Sequence, residues 1–226
     1  MVLAAGAVLA ADLKDEITAA AKQLANKDNY SWKQTTENAG GGGFGAGVSE
    51  GKTQKDGLTW VSMPGRDNNT IEAVKSGEKG AVKTQDGWQS IAELAADQNA
   101  GPGRFLAMRF RNFKAPAAQI EDLASKTKEL KKEGDAFASD LTEEGAKSLL
   151  TFGGRGGGNG PEVSGAKGSV KVWLKDGTLA KYELKVKGSV SFNGNDREVD
   201  RTTTVEIKEI GSTKIEVPAE AKKKLE

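Results

Sequence analysis

The stretch that most limits what this chain can become is "VKVWLKDGTLAKYELKVKGSV", Val170 to Val190, where apolar and charged residues alternate on both sides of Asp176-Gly177. A period of two marks a strand with one dry and one wet face, and Asp-Gly between two such runs marks a hairpin. Register decides which side chains are dry, because a slip of one residue exchanges the two faces. A two-residue loop at Asp176-Gly177 sets Val172 opposite Lys181 and mixes valine with charge. A three-residue loop, Lys175-Asp176-Gly177 with a left-handed Gly177 bulge, pairs Leu174 with Thr178 instead. It gathers Val170, Val172, Leu174, Ala180, Tyr182, Leu184 and Val186 on one face and lysines and Glu183 on the other. That is the expected register, and it leaves Trp173 and Leu179 meeting on the wet face.

Turn signals extend the pattern. Asp56-Gly57, Ser76-Gly77 and Asp86-Gly87 each sit between strand-like runs from Val48 to Ile91, and "YSWKQTTE" reads as a first strand. Asp12 opens a helix in which Leu13, Ile17, Ala20 and Leu24 recur at helical spacing. Residues 92–152 change character, with Leu, Ala, Glu and Lys dominating, and read as a helical insert. Pro116 starts a helix whose stripe runs Ile120, Leu123, Thr127, Leu130 to a stop at Gly134, and Thr142 caps a shorter one holding Leu149 and Leu150. Phe105 to Phe113 fits a helix or a strand. About five more strands follow, "TKIEV" included, before Pro218 opens a C-terminal helix. Glycine-rich stretches at 39–47 and 153–160 read as loops. One domain over residues 12–226 is expected, its single sheet interrupted by the insert.

Composition removes much chemistry. Among 226 residues there is no cysteine and no histidine, so thiol nucleophiles, disulfides and the commonest general base and metal ligand are absent. Lys plus Arg is 33 against 32 Asp plus Glu, a net charge of +1 that offers no general field for nucleic acid. Gly47 to Gly51 matches G-x-S-x-G, but no histidine exists to activate Ser49 and a strand should follow it. Ser76 with Lys79 and Ser164 with Lys167 match S-x-x-K, yet glycines place both in turns rather than on a helix. Arg155 amid glycines matches an anion nest only in composition and reads as part of a flexible loop, and Asn68-Asn69-Thr70 fits a glycosylation sequon but reads as a polar turn. No enzyme, cofactor or metal site is expected.

The opening run, Met1 to Ala11, is small and apolar but too short to span a bilayer. It resembles a signal-peptide apolar region without its basic flank, with Val8-Leu9-Ala10 as cleavage tripeptide. The other reading is a first helical turn. Export to the periplasm or cell envelope is the expectation, with residues 1–11 a signal remnant.

Asp86-Gly87-Trp88, the "WLKDGTLAKYE" hairpin followed by "RTTTVEI", the Val217-Pro218 ending and the order of elements resemble the LolA-like superfamily of outer-membrane lipoprotein-sorting proteins, including mycobacterial lipoproteins of the LppX type. The resemblance implies an α+β, mainly antiparallel fold: a curved, incomplete β-barrel whose concave face is covered by helices. It also implies an apolar cavity holding lipid or lipoprotein acyl chains. The two glycine-rich loops and lysine-rich final strands depart from the sorting factors, so fold and ligand class alone carry over. Independently, Ile120, Leu123, Leu130, Leu149 and Leu150 are few large groups for so long a dry face, and a shortfall of cover leaves space, unless Phe105 to Phe113 fills it. A ligand cavity lined by Val170, Val172, Leu174, Tyr182, Leu184 and Val186 is the expectation, in a monomer that carries a hydrophobic small molecule or acyl chain. The alternative is an envelope structural or protein-interaction module with a packed core.

Overall fold

A computed structural model describes residues 4–40, 46–65, 69–97, 101–151, 161–192 and 195–226. Arg155, Asn68, the centre of the first glycine-rich stretch and all of the second lie outside the described residues. The order is α1 (Ala4–Ala25), β1 (Asn29–Asn38), β2 (Gly47–Gln54), β3 (Thr59–Pro64), β4 (Thr70–Ser76), β5 (Lys79–Thr84), β6 (Gly87–Ser90), α2 (Ile91–Ala96), α3 (Pro102–Arg111), α4 (Pro116–Ala124), β7 (Lys131–Glu133), β8 (Ala136–Asp140), α5 (Glu143–Leu150), β9 (Glu162–Lys175), β10 (Thr178–Phe192), β11 (Asn195–Lys208) and α6 (Ala219–Leu225).

The strands form one antiparallel sheet of 11, in the order β6-β5-β4-β3-β2-β1-β11-β10-β9-β8-β7. Two meanders meet at its centre, where β1 lies against β11 from Ser31 opposite Lys208 to Asn38 opposite Arg201. Strands β6 and β7 are free edges, so the sheet does not close into a barrel. The turns fall where the glycines demand them: Gly57, Gly77 and Gly87 all take positive φ, the region glycine enters without penalty.

The central hairpin turns differently from the expected register. Its loop is the two-residue Asp176-Gly177, with φ of 51° and 71°, as a type I′ turn requires. Leu179 therefore pairs with Leu174 and is 0% exposed in the core, not on the wet face. The extra residue is absorbed one step later, where the register shifts between Leu179 and Lys181 so that Lys181 faces Trp173 and Tyr182 faces Val172. A bulge at Ala180, not at Gly177, thus keeps Val170, Val172, Tyr182 and Leu184 on the dry side. On the wet side the Lys181 ammonium sits 4.9 Å from the Trp173 ring centre.

Other boundaries also moved. The Pro116 helix stops at Ala124, and Thr127 bridges to Leu141 instead of continuing the stripe. The expected helical insert contains the hairpin β7–β8, which extends the sheet past β9. Ala136 to Ser139 are all buried, so β8 lacks the alternation that would have betrayed it. Residues 213–217 form no strand, and Phe105 to Phe113 is largely helix α3. Helix α1 begins at Ala4 and runs without a break past residue 11.

Helices α1 to α4 bury the sheet's inner face, which contributes Tyr30, Trp32, Val61, Ala73, Val82, Val172, Tyr182 and Val205 to the main core. Helix α5 covers Ala166 and Val186 in a second cluster, and α6 packs on the outer face against Val74, Ala81 and Trp88.

Candidate ligand-binding seam

Inward side chains line up across the sheet by register. One row runs Phe137, Val172, Tyr182, Val205 from β8 to β11, and its neighbour runs Ser139, Val170, Leu184, Thr203. Over these rows α1 presents Ile17, Ala21 and Leu24, and α4 presents Ala117, Ile120 and Leu123. Of the six residues expected to line a cavity, Val170, Val172, Tyr182 and Leu184 share this core, Leu174 packs at its margin, and Val186 sits with Ala146 and Leu150 under α5. At the junction of α1, α4 and β9 a void of about 10 Å³ remains, lined by Ile17, Ile120, Leu123, Ala124, Thr127, Val170 and Val172. That is barely the volume one water needs. The cover that the sequence left unaccounted for comes from α1 and from Ala107, Phe110 and Phe113.

Polar ties across the seam are few. The Tyr182 hydroxyl donates to Gln119 Oε1 of α4 at 2.5 Å, and the Tyr30 hydroxyl faces the Thr53 side chain and the Ala117 backbone. These are the chain's two tyrosines, and both use a phenol to reach α4 from an apolar face. Burial raises the pKa of each, that of Tyr182 well above its ordinary value, with Tyr30 adding to the effect. Thr178 donates to Gln23 Oε1 of α1 at 3.2 Å. The two helices are joined to each other by Lys22 and Glu121 at 3.7 Å, and Lys14 Nζ donates to the Thr127 carbonyl after α4 at 3.3 Å. Such ties let α1 and α4 act as one cover.

Trp32 lies over Gly51, where a Cβ would fall 2.0 Å from its ring, and stacks on Phe113 with centroids 6.0 Å apart. Its Nε1 is buried without a hydrogen-bond partner, a cost of about 1–3 kcal/mol accepted for apolar packing. Lys75 of β4 donates to the carbonyls of Phe110, Arg111 and Phe113 at 3.2, 2.7 and 3.4 Å, which ties down the end of α3. Burial lowers the Lys75 pKa.

LppX, a lipoprotein of Mycobacterium tuberculosis, superposes with a TM-score of 0.53 over 91% of this chain and 98% of its own, at 11% identity. The chain has the LppX-like fold. LprF of Mycobacterium bovis covers 93% of this chain and 98% of its own, at 10% identity and a TM-score of 0.48. No protein-family model and no curated protein matches.

In this LppX-like fold, Tyr30, Gln119, Ile17 and Thr127 are the seam residues that sequence reasoning did not assign to the site, whereas Tyr182 was among those it did. The usable signal was that both tyrosines stand on dry faces of strands, where a buried hydroxyl must find a partner. A larger hollow of about 520 Å³ at Glu162, Val163, Ser164, Ser189, Ser191 and Asp196 has a mostly polar lining unsuited to an acyl chain. Among the described residues no three carboxylates converge as metal ligands, and no helix is long and apolar enough to cross a membrane.

Proposed function

We propose that the chain is a non-enzymatic, exported protein that binds or carries a hydrophobic ligand, a lipid or acyl chain, in the seam between the α1–α4 cover and β9–β11. The observation that carries this reading is the lining of the void, whose seven residues include one polar side chain, Thr127, already donating to the Ala124 carbonyl. The seam is closed, so a ligand enters by lifting the cover. Chain methylenes then replace the helix–sheet contacts they displace, while the hydrogen bonds at Tyr182 and Thr178 are lost at about 1 kcal/mol each. Burying an alkyl chain of about fifteen methylenes returns roughly 12 kcal/mol. That exceeds the lost bonds and leaves several kcal/mol to meet the cost of association. The LppX-like fold is consistent with this reading and supplies no more than the architecture. Export with processing near Ala10 belongs to the proposal, and sequencing the mature N-terminus tests it.

The test of binding is titration with a fluorescent fatty acid, which should saturate at one equivalent and be reversed by unlabelled fatty acid. A linear, unsaturable response sinks the carrier reading. The second reading, a structural or protein-interaction module, is favoured by the small size of the void.

A further inference from the structure

Trp32 carries a cost that the free chain does not recover. The side chain is 3% exposed, and among the described residues its Nε1 has no hydrogen-bond partner. A Cβ on Gly51 would fall 2.0 Å from the indole Cζ2 and 2.2 Å from Cε2. The N–H leaves the ring next to Cε2 and so emerges beside Gly51, on the inner face of the sheet. Phenylalanine at this position would keep the stack on Phe113 and strand no polar group. The neighbouring inward side chains of β1 are already engaged: Gln34 Nε2 donates to Thr36 Oγ1 at 3.3 Å, and the Tyr30 hydroxyl faces Thr53 and the Ala117 backbone. Across the sheet the register sets Ile207 and Gly51 beside Trp32 and Val61 beyond Gly51, an apolar surround.

We propose that Trp32 Nε1 donates to the ester carbonyl of a ligand whose acyl chain lies in the seam, and so positions that ligand and selects esters. The inference rests on the carrier reading and adds the polar chemistry of the ligand to it. Trp32 on β1 stands three strand spacings from Val172 of β9, about 14 Å, a span that a long acyl chain covers. Phe113 caps the indole from the 112–115 link between α3 and α4, so the lifting of α4 that opens the seam also uncovers the N–H. A buried donor in an apolar surround takes a neutral acceptor. A carboxylate would bring an unpaired charge, and the Lys75 ammonium at the end of α3 already holds three carbonyls. An amide would add N–H donors that need acceptors of their own. An ester carbonyl accepts and adds neither.

Displacement of the fluorescent fatty acid by methyl laurate and by dodecane, from the full chain and from Trp32→Phe, tests it. The ratio of dodecane to methyl laurate needed for half displacement should fall about tenfold in the variant. Dodecane offers no acceptor, and comparing ratios between the two proteins cancels each ligand's own transfer from water. In the isotope-labelled parent, methyl laurate should move the Trp32 indole N–H proton resonance downfield and dodecane should not, a readout that needs no variant. An unchanged ratio, or an indole resonance that methyl laurate leaves in place, would overturn the inference while saturable displacement keeps the carrier reading standing. Fatty acid that binds without saturation overturns the carrier reading itself, and this inference with it.

Discussion

Replacing Tyr182 by phenylalanine removes one oxygen from the middle of the helix–sheet seam and leaves the ring in place. The lost contact is the 2.5 Å hydrogen bond to Gln119 Oε1. Tyr182 is buried, whereas Gln119 is half-buried and can turn part of its amide to water. A net hydrogen bond is worth about 1 kcal/mol, and a stranded acceptor costs about 1–3 more only where water is excluded. Tyr182→Phe should therefore destabilise the fold by about 1–2 kcal/mol. Gln119→Leu strands the phenol instead and should cost at least as much. The double variant replaces both partners with apolar groups and should recover most of the loss, a coupling above about 0.5 kcal/mol. Urea unfolding checks this through midpoints at constant m-value. Because the bond opposes lifting of α4, Tyr182→Phe should also tighten fatty-acid binding, up to about tenfold for 1.4 kcal/mol. Additive single variants with unchanged probe affinity would refute both the tie and its role as a latch.

Three further outcomes follow from the same packing. Leu184→Asp, which puts an unpaired charge into the core, should cost several kcal/mol or prevent folding, while Lys185→Asp on the exposed face should stay within about 0.5 kcal/mol of neutral; equal losses in urea unfolding would mean the faces are misassigned. Gly51→Ala drives a methyl into the Trp32 ring that Phe113 backs, so thermal unfolding should show about 1–3 kcal/mol of overpacking, and a neutral result would contradict the close approach. For the tyrosines, both folded pKa values lie above the unfolded value of about 10. The stability this confers is complete below that pH and is lost as pH rises through the folded values, since the unfolded chain releases its protons first. Tyrosinate absorbance should accordingly appear together with loss of circular dichroism, and a tyrosine titrating normally in the folded protein would contradict its burial.

Much of the sheet was legible because alternation and left-handed glycines are local signals. Asp56-Gly57, Ser76-Gly77 and Asp86-Gly87 each marked a real turn, and the dry set of Val170, Val172, Tyr182 and Leu184 survived an incorrect loop. It survived because the Ala180 bulge restored the phase that the two-residue turn had shifted. Nothing in "TLAKY" signals a bulge, since it compensates a mismatch between two strands rather than expressing a preference of one. Strand β8 escaped for a related reason: Ala136 to Ser139 are buried on both faces, and a strand without a wet side has no period of two. Helix α4 ends sooner than its sequence pattern suggests, because Thr127 and Leu130 fit a helical stripe equally well while their actual roles, a bridge to Leu141 and a place in the core, depend on distant residues. The seam was half legible. Its sheet wall could be read from one hairpin, but its helix wall pairs Ile17 and Ile120 with valines some 50 or more positions away, and no local pattern encodes that meeting.

Photolabelling with a diazirine-bearing fatty acid tests, at the level of residues, whether a hydrophobic chain occupies the α1–α4–β9 seam. Adducts mapped by mass spectrometry are predicted on the peptides holding Ile17, on those holding Ile120 and Leu123, and on those holding Val170 and Val172, saturating with probe and suppressed by unlabelled fatty acid. Adducts confined to exposed positions such as Phe105 and Met108, or no competed labelling anywhere, would contradict it.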